Sequence, residues 1–149
     1  MFNFVFVKDL KETLELGEKL SQKLNPQSII LLNGPIGAGK TSFVQGIAKG
    51  LDITENITSP TFALSHHYNS GKIPLIHLDL YRLENISSAK EVFFSEEEEA
   101  LQSKAILIIE WPGLIEELIE NFWKIEIRYA KNSGRYYEIR DPKNSLTFS

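Results

Sequence analysis

Eight consecutive residues, Gly34-Pro35-Ile36-Gly37-Ala38-Gly39-Lys40-Thr41, read G-x-x-x-x-G-K-[ST] in full, a pattern suited to holding a chain of phosphates. A glycine-rich turn between a strand and a helix aims backbone N–H groups and the positive end of the helix dipole at one point, where anions collect. Gly37 and Gly39 carry no Cβ, so phosphate oxygens can approach the main chain. The candidate phosphate-binding residues are therefore Gly34, Ile36, Gly37, Ala38, Gly39, Lys40, Thr41 and Ser42. Lys40 would reach the β- and γ-phosphates as a point charge, and the Thr41 hydroxyl would ligate Mg2+. At ordinary residue frequencies the four fixed positions arise by accident in fewer than about one chain of this length in a hundred. A mere helix-capping turn is the weaker reading.

A phosphate loop needs an acid to hold the metal or its water. Two acids end apolar runs: Asp79 after Ile73 to Leu78, and Glu110 after Ala105 to Ile109. Alone, Asp79 reads as a turn or cap acid and Glu110 as a strand-end ion-pair partner; beside the phosphate loop both become metal-site candidates. Thr58-Ser59-Pro60-Thr61 lies where many phosphate-loop proteins sense the γ-phosphate, and it reads equally as a hydroxyl-rich turn before a strand. His66 and His67 are neighbours in an expected strand, face opposite sides and make a poor metal pair, so they read as structural or surface residues. His77 shares a strand face with Asp79, which permits it a supporting role. Trp111 and Trp123 read as packing residues, although Trp111 directly after Glu110 could sit at the mouth of the site.

These residues need elements to position them. Phe2 to Val7 reads as a strand, followed by Asp9 as N-cap of a helix with Leu10, Leu14, Leu20 and Leu24, ending at Asn25-Pro26. Ile29 to Leu32 is a continuous apolar run, as expected for a strand covered on both faces. Phe43, Ile47 and Leu51 mark the buried side of a helix from about Lys40 to Gly50. Phe62 to Tyr68 and Ile73 to Leu78 read as strands joined by a four-residue hairpin, Asn69 to Lys72. Ser87 or Ser88 would cap a helix running to about Leu101, and its acidic run Glu96 to Glu99 reads as a solvated face. Leu114, Ile115, Leu118 and Ile119 predict one face of a short helix. Lys124 to Tyr129 and Tyr136 to Arg140 predict two strands around Asn132-Ser133-Gly134. Apolar strands with helices between them argue an α/β core, to which the hairpins add antiparallel strands.

Composition sets the bounds. The chain has 149 residues, 42% apolar and 24% charged, with no cysteine and a formal net charge of −4. That suits one ordinary globular domain spanning 1–149, with no repeat or linker. The basic residues are scattered, which argues against broad autonomous nucleic-acid binding. No apolar run approaches the roughly 18 residues of a membrane span, and the start lacks a basic region ahead of its apolar stretch. The expectation is a soluble, unexported, cytoplasmic protein with no membrane partner; the lack of cysteine fits a reducing compartment.

Taken together, Gly34 to Thr41, Thr58-Ser59-Pro60-Thr61-Phe62, His77-Leu78-Asp79-Leu80-Tyr81-Arg82-Leu83 and Glu110-Trp111-Pro112 resemble the bacterial TsaE family. The likeness runs from Phe2 to about Arg140 and includes Leu14-Glu15-Leu16-Gly17. Pro35 stands where the family often has an acid, and Ile86 to Phe94 follows the family pattern only loosely. The resemblance implies an α/β fold of P-loop NTPase type, a three-layer sandwich with a mixed, mainly parallel central sheet and antiparallel hairpin strands. It implies an ATPase, binding ATP with Mg2+, that docks where TsaB and TsaD meet. Hydrolysis there would sustain formation of N6-threonylcarbamoyladenosine beside the anticodon of tRNAs reading codons that begin with A, so tRNA is met through the complex. By the same likeness Thr41 and Glu110 are the metal positions, and Lys40, Asp79, Glu110 and Thr61 carry the chemistry. Arg135, after Gly134, resembles a position near the nucleotide.

Other phosphate-loop classes want parts that are hard to find here. A small-molecule kinase calls for a lid carrying several arginines, and Arg82, Arg128, Arg135 and Arg140 are spread over separate elements. A GTPase of the familiar kind would carry Asn-Lys-x-Asp, which the sequence lacks. A nucleotide-gated adaptor with slow turnover remains open; turnover that rises on adding TsaB and TsaD separates it from an ATPase.

Overall fold

The computed structural model, which describes residues 3–143, holds seven strands in one sheet. In chain order the elements are β1 (Asn3–Val7), α1 (Leu10–Ser21), β2 (Ile29–Asn33), α2 (Lys40–Gly50), β3 (Ser65–Tyr68), β4 (Leu75–Asp79), α3 (Ile86–Ser103), β5 (Ile106–Glu110), β6 (Trp123–Tyr129) and β7 (Arg135–Arg140). Two 3₁₀ turns, Pro112–Leu114 and Glu116–Leu118, lie between β5 and β6. The sheet order is β1-β7-β6-β2-β5-β4-β3. β6, β2, β5 and β4 are parallel, whereas β1 with β7, β7 with β6 and β3 with β4 pair antiparallel.

Strand alternation divides the core in two. Ile30, Leu32, Ile106, Ile108, Ile125 and Ile127 turn to the face covered by α1 and α2, where they meet Leu20, Phe43 and Ile47. Leu31, Ile76, Leu78, Leu107 and Ile109 turn to the opposite face, against Phe93 of α3 and against Ile115 and Ile119. This is the expected three-layer sandwich, and it explains why Ile29 to Leu32 is apolar without interruption: both faces of β2 are buried. α1 begins at its Asp9 cap, whose carboxylate accepts the Glu12 N–H at 3.0 Å, and it lies unusually close to α2. A Cβ at Gly17 would stand 2.5 Å from Phe43 O, and one at Gly46 would collide with Leu14 O. Two glycines facing one another therefore let the helix that follows the phosphate loop seat directly on α1.

Several sequence boundaries shift. The first strand begins at Asn3, and Phe2 lies outside the described residues. α1 ends at Ser21 rather than at Asn25-Pro26, and Leu10 at its start is exposed while Leu16 and Leu20 form the buried stripe. The strand expected from Phe62 starts at Ser65, because Thr61 to Leu64 close a turn in which Leu64 N–H donates to Pro60 O at 2.7 Å. β3 and β4 are joined by residues 69–74 instead of four residues, since Lys72 N–H leaves the hairpin to reach Leu51 O at 2.9 Å. α3 is capped by Asn85, whose side chain accepts the Ser88 N–H, and runs on to Ser103. The short helix expected over Leu114 to Ile119 is instead the pair of 3₁₀ turns; only Ile115 and Ile119 are buried, while Leu114 and Leu118 are exposed. Spacing of apolar residues by one and four does not separate one helical turn from two tighter ones.

Candidate functional site

The glycine loop, Thr61, His77, Asp79, Glu110 and Trp111 sit at or beside the carboxyl ends of the parallel strands, where open α/β sheets form their crevices. β2 runs into the glycine loop, and α2 starts at Lys40 on the far side of it. Gly37 and Gly39 have φ of 82° and 98°, in the left-handed region that glycine enters freely. The same sheet alternation that sends Ile106 and Ile108 toward α2 continues to Glu110, and on β4 it aims His77 and Asp79 the same way. Asp79 and Glu110 are register partners on adjacent parallel strands. Two carboxylates thus face the start of α2 side by side.

Both are buried, and both are held. Asp79 Oδ1 accepts the Tyr81 N–H at 2.9 Å, and Oδ2 accepts the Thr61 hydroxyl at 2.8 Å. The Thr61 hydroxyl also lies 2.8 Å from Ser59 Oγ. Glu110 Oε2 is 2.5 Å from His77 Nε2, with both side chains shut off from solvent. The other ring nitrogen, His77 Nδ1, is buried with no hydrogen-bond partner among the described residues. Lys40 Nζ donates to Gly34 O at 2.5 Å and to Pro35 O at 3.1 Å, and it stands 4.9 Å over the Trp111 ring. Burial lowers the Lys40 pKa below the usual lysine value, against the pull of the Glu110 and Asp79 charges, which raise it.

These groups line one cleft of about 480 Å3, formed by Ile36, Gly37, Gly39, Lys40, Thr41, Ser42, Ser59, Thr61, Phe62, Asp79, Tyr81, Glu110 and Trp111. It gathers nine of the residues expected from sequence. Gly34 lies behind it, packed on Ile127 and Ala38. Ala38 and Arg135 line a neighbouring recess of about 260 Å3, which shares Gly37, Gly39 and Ser42 with the cleft and is completed by Lys8, Asp9, Leu10 and Thr13. Arg135 Nε donates to Ala38 O at 3.2 Å, so its guanidinium sits on the loop backbone.

Sequence reasoning named Ser59 only within the candidate segment 58–61, gave Phe62 and Tyr81 no part in the site and read Trp111 chiefly as packing. The aromatic residues form the rim: Tyr81 and Trp111 pack with centroids 5.0 Å apart and planes tilted by 50°, and Phe62 is 84% exposed beneath the Arg82 guanidinium. Their signal was positional, since Tyr81 and Trp111 come one or two residues after the strand-end acids. Trp111 reaches the cleft because its φ of 54° turns the chain sharply at the end of β5, a conformation that costs about 1–3 kcal/mol in a residue with a Cβ. His66 and His67 stay apart from the cleft: His67 Nε2 pairs with Glu96 Oε2 at 2.6 Å on α3. Trp123 is buried in the core, as expected.

Thr41 and Ser42 hydroxyls with two carboxylates make a donor set of hard oxygens only, suited to Mg2+. Facing them, a loop of main-chain amides and one lysine suits a polyphosphate. The sandwich, the glycine loop opening α2 and the strand-end acids together define a P-loop type α/β protein.

Comparison with known proteins narrows the class. Residues 7–137 match the family described as "Threonylcarbamoyl adenosine biosynthesis protein TsaE". A Nostoc protein named tRNA threonylcarbamoyladenosine biosynthesis protein TsaE is 42% identical over 137 residues, covering 91% of this chain and 83% of its own. A Bacillus subtilis protein of the same name is 36% identical over 84% of this chain and 77% of its own. The crystal structure of Bacillus subtilis YdiB superposes with a TM-score of 0.78 at 26% identity, over 95% of this chain and 86% of that one. The chain belongs to the TsaE family of tRNA threonylcarbamoyladenosine biosynthesis. Among the described residues, no helix is long and apolar enough to cross a membrane.

Proposed function

We propose that this protein is a Mg2+-dependent ATPase that serves the TsaB–TsaD assembly in making N6-threonylcarbamoyladenosine beside the anticodon of tRNAs reading codons that begin with A. The observation that carries the reading is the cleft itself, in which the glycine loop, Lys40 and Thr41 face two buried carboxylates on adjacent strand ends.

ATP would lay its phosphates along residues 34–41, and the recess sharing Ser42 would take the ribose and base. Lys40 would exchange the carbonyls of Gly34 and Pro35 for β- and γ-phosphate oxygens, which relieves a cation held at a depressed pKa. Thr41 and Glu110 would hold Mg2+, which supplies Lewis-acid polarisation of the phosphate oxygens. His77 keeps the Glu110 carboxylate in place through its 2.5 Å contact. Asp79, bonded to Thr61, links that acid to the segment 58–61 and lets the segment register the γ-phosphate. Water attacks the γ-phosphorus, the bond to the bridging oxygen breaks, and ADP and phosphate leave.

The aromatic rim and the exposed Ile36 place apolar surface around the mouth of the cleft, where a docking protein would sense whether it is filled. TsaB and TsaD are the proposed partners, tRNA is met through them, and the cytoplasm is the proposed location.

The test is reconstitution: tRNA modification by TsaB, TsaD and the enzyme supplying the carbamoyl donor, followed over many cycles with and without this protein. Modification that continues equally without it, or ATP turnover that ignores TsaB and TsaD, would sink the proposal.

A further inference from the structure

The phosphate loop does not stand alone on its helix; the far hairpin of the sheet grips it from behind. Tyr129 ends β6 and Arg135 begins β7, and the two are register partners. Alternation along β6 and β7 points both toward α2, in line with Ile125, Ile127, Tyr137 and Ile139. Tyr129 hydroxyl donates to Ile36 O at 3.1 Å, Arg135 Nε to Ala38 O at 3.2 Å, and Arg135 Nη2 approaches Gly37 O at 3.5 Å. The guanidinium also lies 4.5 Å over the Tyr129 ring. Three successive loop carbonyls, at positions 36, 37 and 38, are thus turned to one pair of side chains.

In a planar trans peptide the N–H points opposite to the C=O. Holding Ile36 O against Tyr129 therefore turns the Gly37 N–H away from the hairpin, and holding Ala38 O against Arg135 does the same for the Gly39 N–H. Both glycines line the cleft. The amide between them is spent inside the loop, since Ala38 N–H donates to Pro35 O at 3.1 Å. Glycine at 37 and 39 leaves these peptides free to rotate, so something outside the loop must set them.

We infer that Tyr129 and Arg135 are positioning residues that brace the phosphate loop by its carbonyls, presenting the Gly37 and Gly39 amides to an anion, and that Arg135 acts through the loop and not on the nucleotide. This deepens the nucleotide reading of the cleft and rests on it. Preset donors bind more tightly because they are not ordered at the moment of binding.

The experiment uses the full chain, with Mg2+-free ADP and inorganic triphosphate as probes followed by tryptophan fluorescence. Tyr129→Phe removes one hydroxyl from a half-exposed side chain and keeps the ring under Arg135. Its affinity for both probes should fall about two- to tenfold, the worth of one neutral hydrogen bond, while its melting temperature stays with the wild type. Arg135→Gln should lose about tenfold or more. The double variant should lose less than the product of the single losses, because both hold one loop. With ATP and Mg2+, KM should rise by a larger factor than kcat falls, and the Gly37 and Gly39 amide resonances should shift in Tyr129→Phe before any probe is added. Tyr129→Phe binding both probes like the wild type, with unmoved glycine resonances, would overturn the bracing while leaving the nucleotide reading intact; a loss confined to Arg135→Gln that is largest at low salt and shrinks as salt rises would do the same and make Arg135 a direct phosphate contact. A wild-type chain that binds neither probe overturns both.

Discussion

The two faces of the sheet are built from the same apolar alternation but end differently. On the α3 face, Leu31, Leu107, Ile109 and Phe93 belong to one buried apolar cluster. On the α2 face the apolar stack stops at the strand ends, and four ionisable side chains follow it into the interior: Lys40, His77, Asp79 and Glu110, each less than a tenth exposed. Burying charge costs several kcal/mol per ion unless partners compensate, so one face maximises stability and the other gives some up to hold chemistry. The backbone repeats the contrast: α1 and α2 lie on paired glycines, whereas α3 has no comparable approach and leaves Phe94 and Leu101 half exposed.

That contrast can be broken by substitution. The largest effect on folding belongs to the α3 face: Phe93→Ala should cost about 3–5 kcal/mol in denaturant unfolding while the folded protein binds nucleotide as before. A cost under about 1 kcal/mol would mean that Phe93 is not a core anchor. On the α2 face Lys40→Ala should do the reverse. ADP affinity should fall at least about a hundredfold, two charge-assisted contacts being worth about 1.5–3 kcal/mol each, with stability equal or higher because a desolvated cation is gone; unchanged affinity in calorimetry would refute the loop assignment. Glu110→Ala should lower Mg2+-dependent turnover at least tenfold, more than it lowers ATP binding. Full Mg2+-dependent hydrolysis in that variant would remove Glu110 from the metal site.

The smallest effect sharpens the comparison. Tyr137 lies under Gly39 on the α2 face with its hydroxyl buried and, among the described residues, within hydrogen-bond distance of no partner, while the nearby Thr13 hydroxyl donates to Asp9 O at 3.1 Å. Burial pushes its pKa up to about 12, although the Thr13 side chain beside it and, more weakly, the Arg135 charge pull the other way. A folded-state pKa above the unfolded value of about 10 means that its contribution is whole below that pH and is lost as pH rises toward 12. Tyr137→Phe should therefore flatten the alkaline stability loss in that window relative to wild type. Identical pH profiles would show that the hydroxyl is solvated.

Much of the site was legible in the residues. The eight-residue loop names its own chemistry because backbone amides and a lysine need only local order to meet a phosphate. Asp79 and Glu110 were found because a polar residue ending an apolar strand must lie at a sheet edge. The reading of Ile29 to Leu32 and of Ala105 to Ile109 as buried strands held for the same local reason. What spacing could not supply was anything set by two distant segments. The His77–Glu110 contact spans 33 positions, and the hairpin's grip on residues 36–38 joins groups more than ninety apart. The 3₁₀ turns at 112–118 and the aromatic rim likewise follow from how the chain turns after β5.

Sequence alone thus determined which groups this protein can offer to a phosphate or a metal, because type and near-neighbour spacing decide that. Only the tertiary structure decided that Asp79 and Glu110 stand side by side, that a buried histidine holds one of them, and that Arg135 lies on the loop's carbonyls. Strand order and register set those distances, and a linear spacing of residues carries neither.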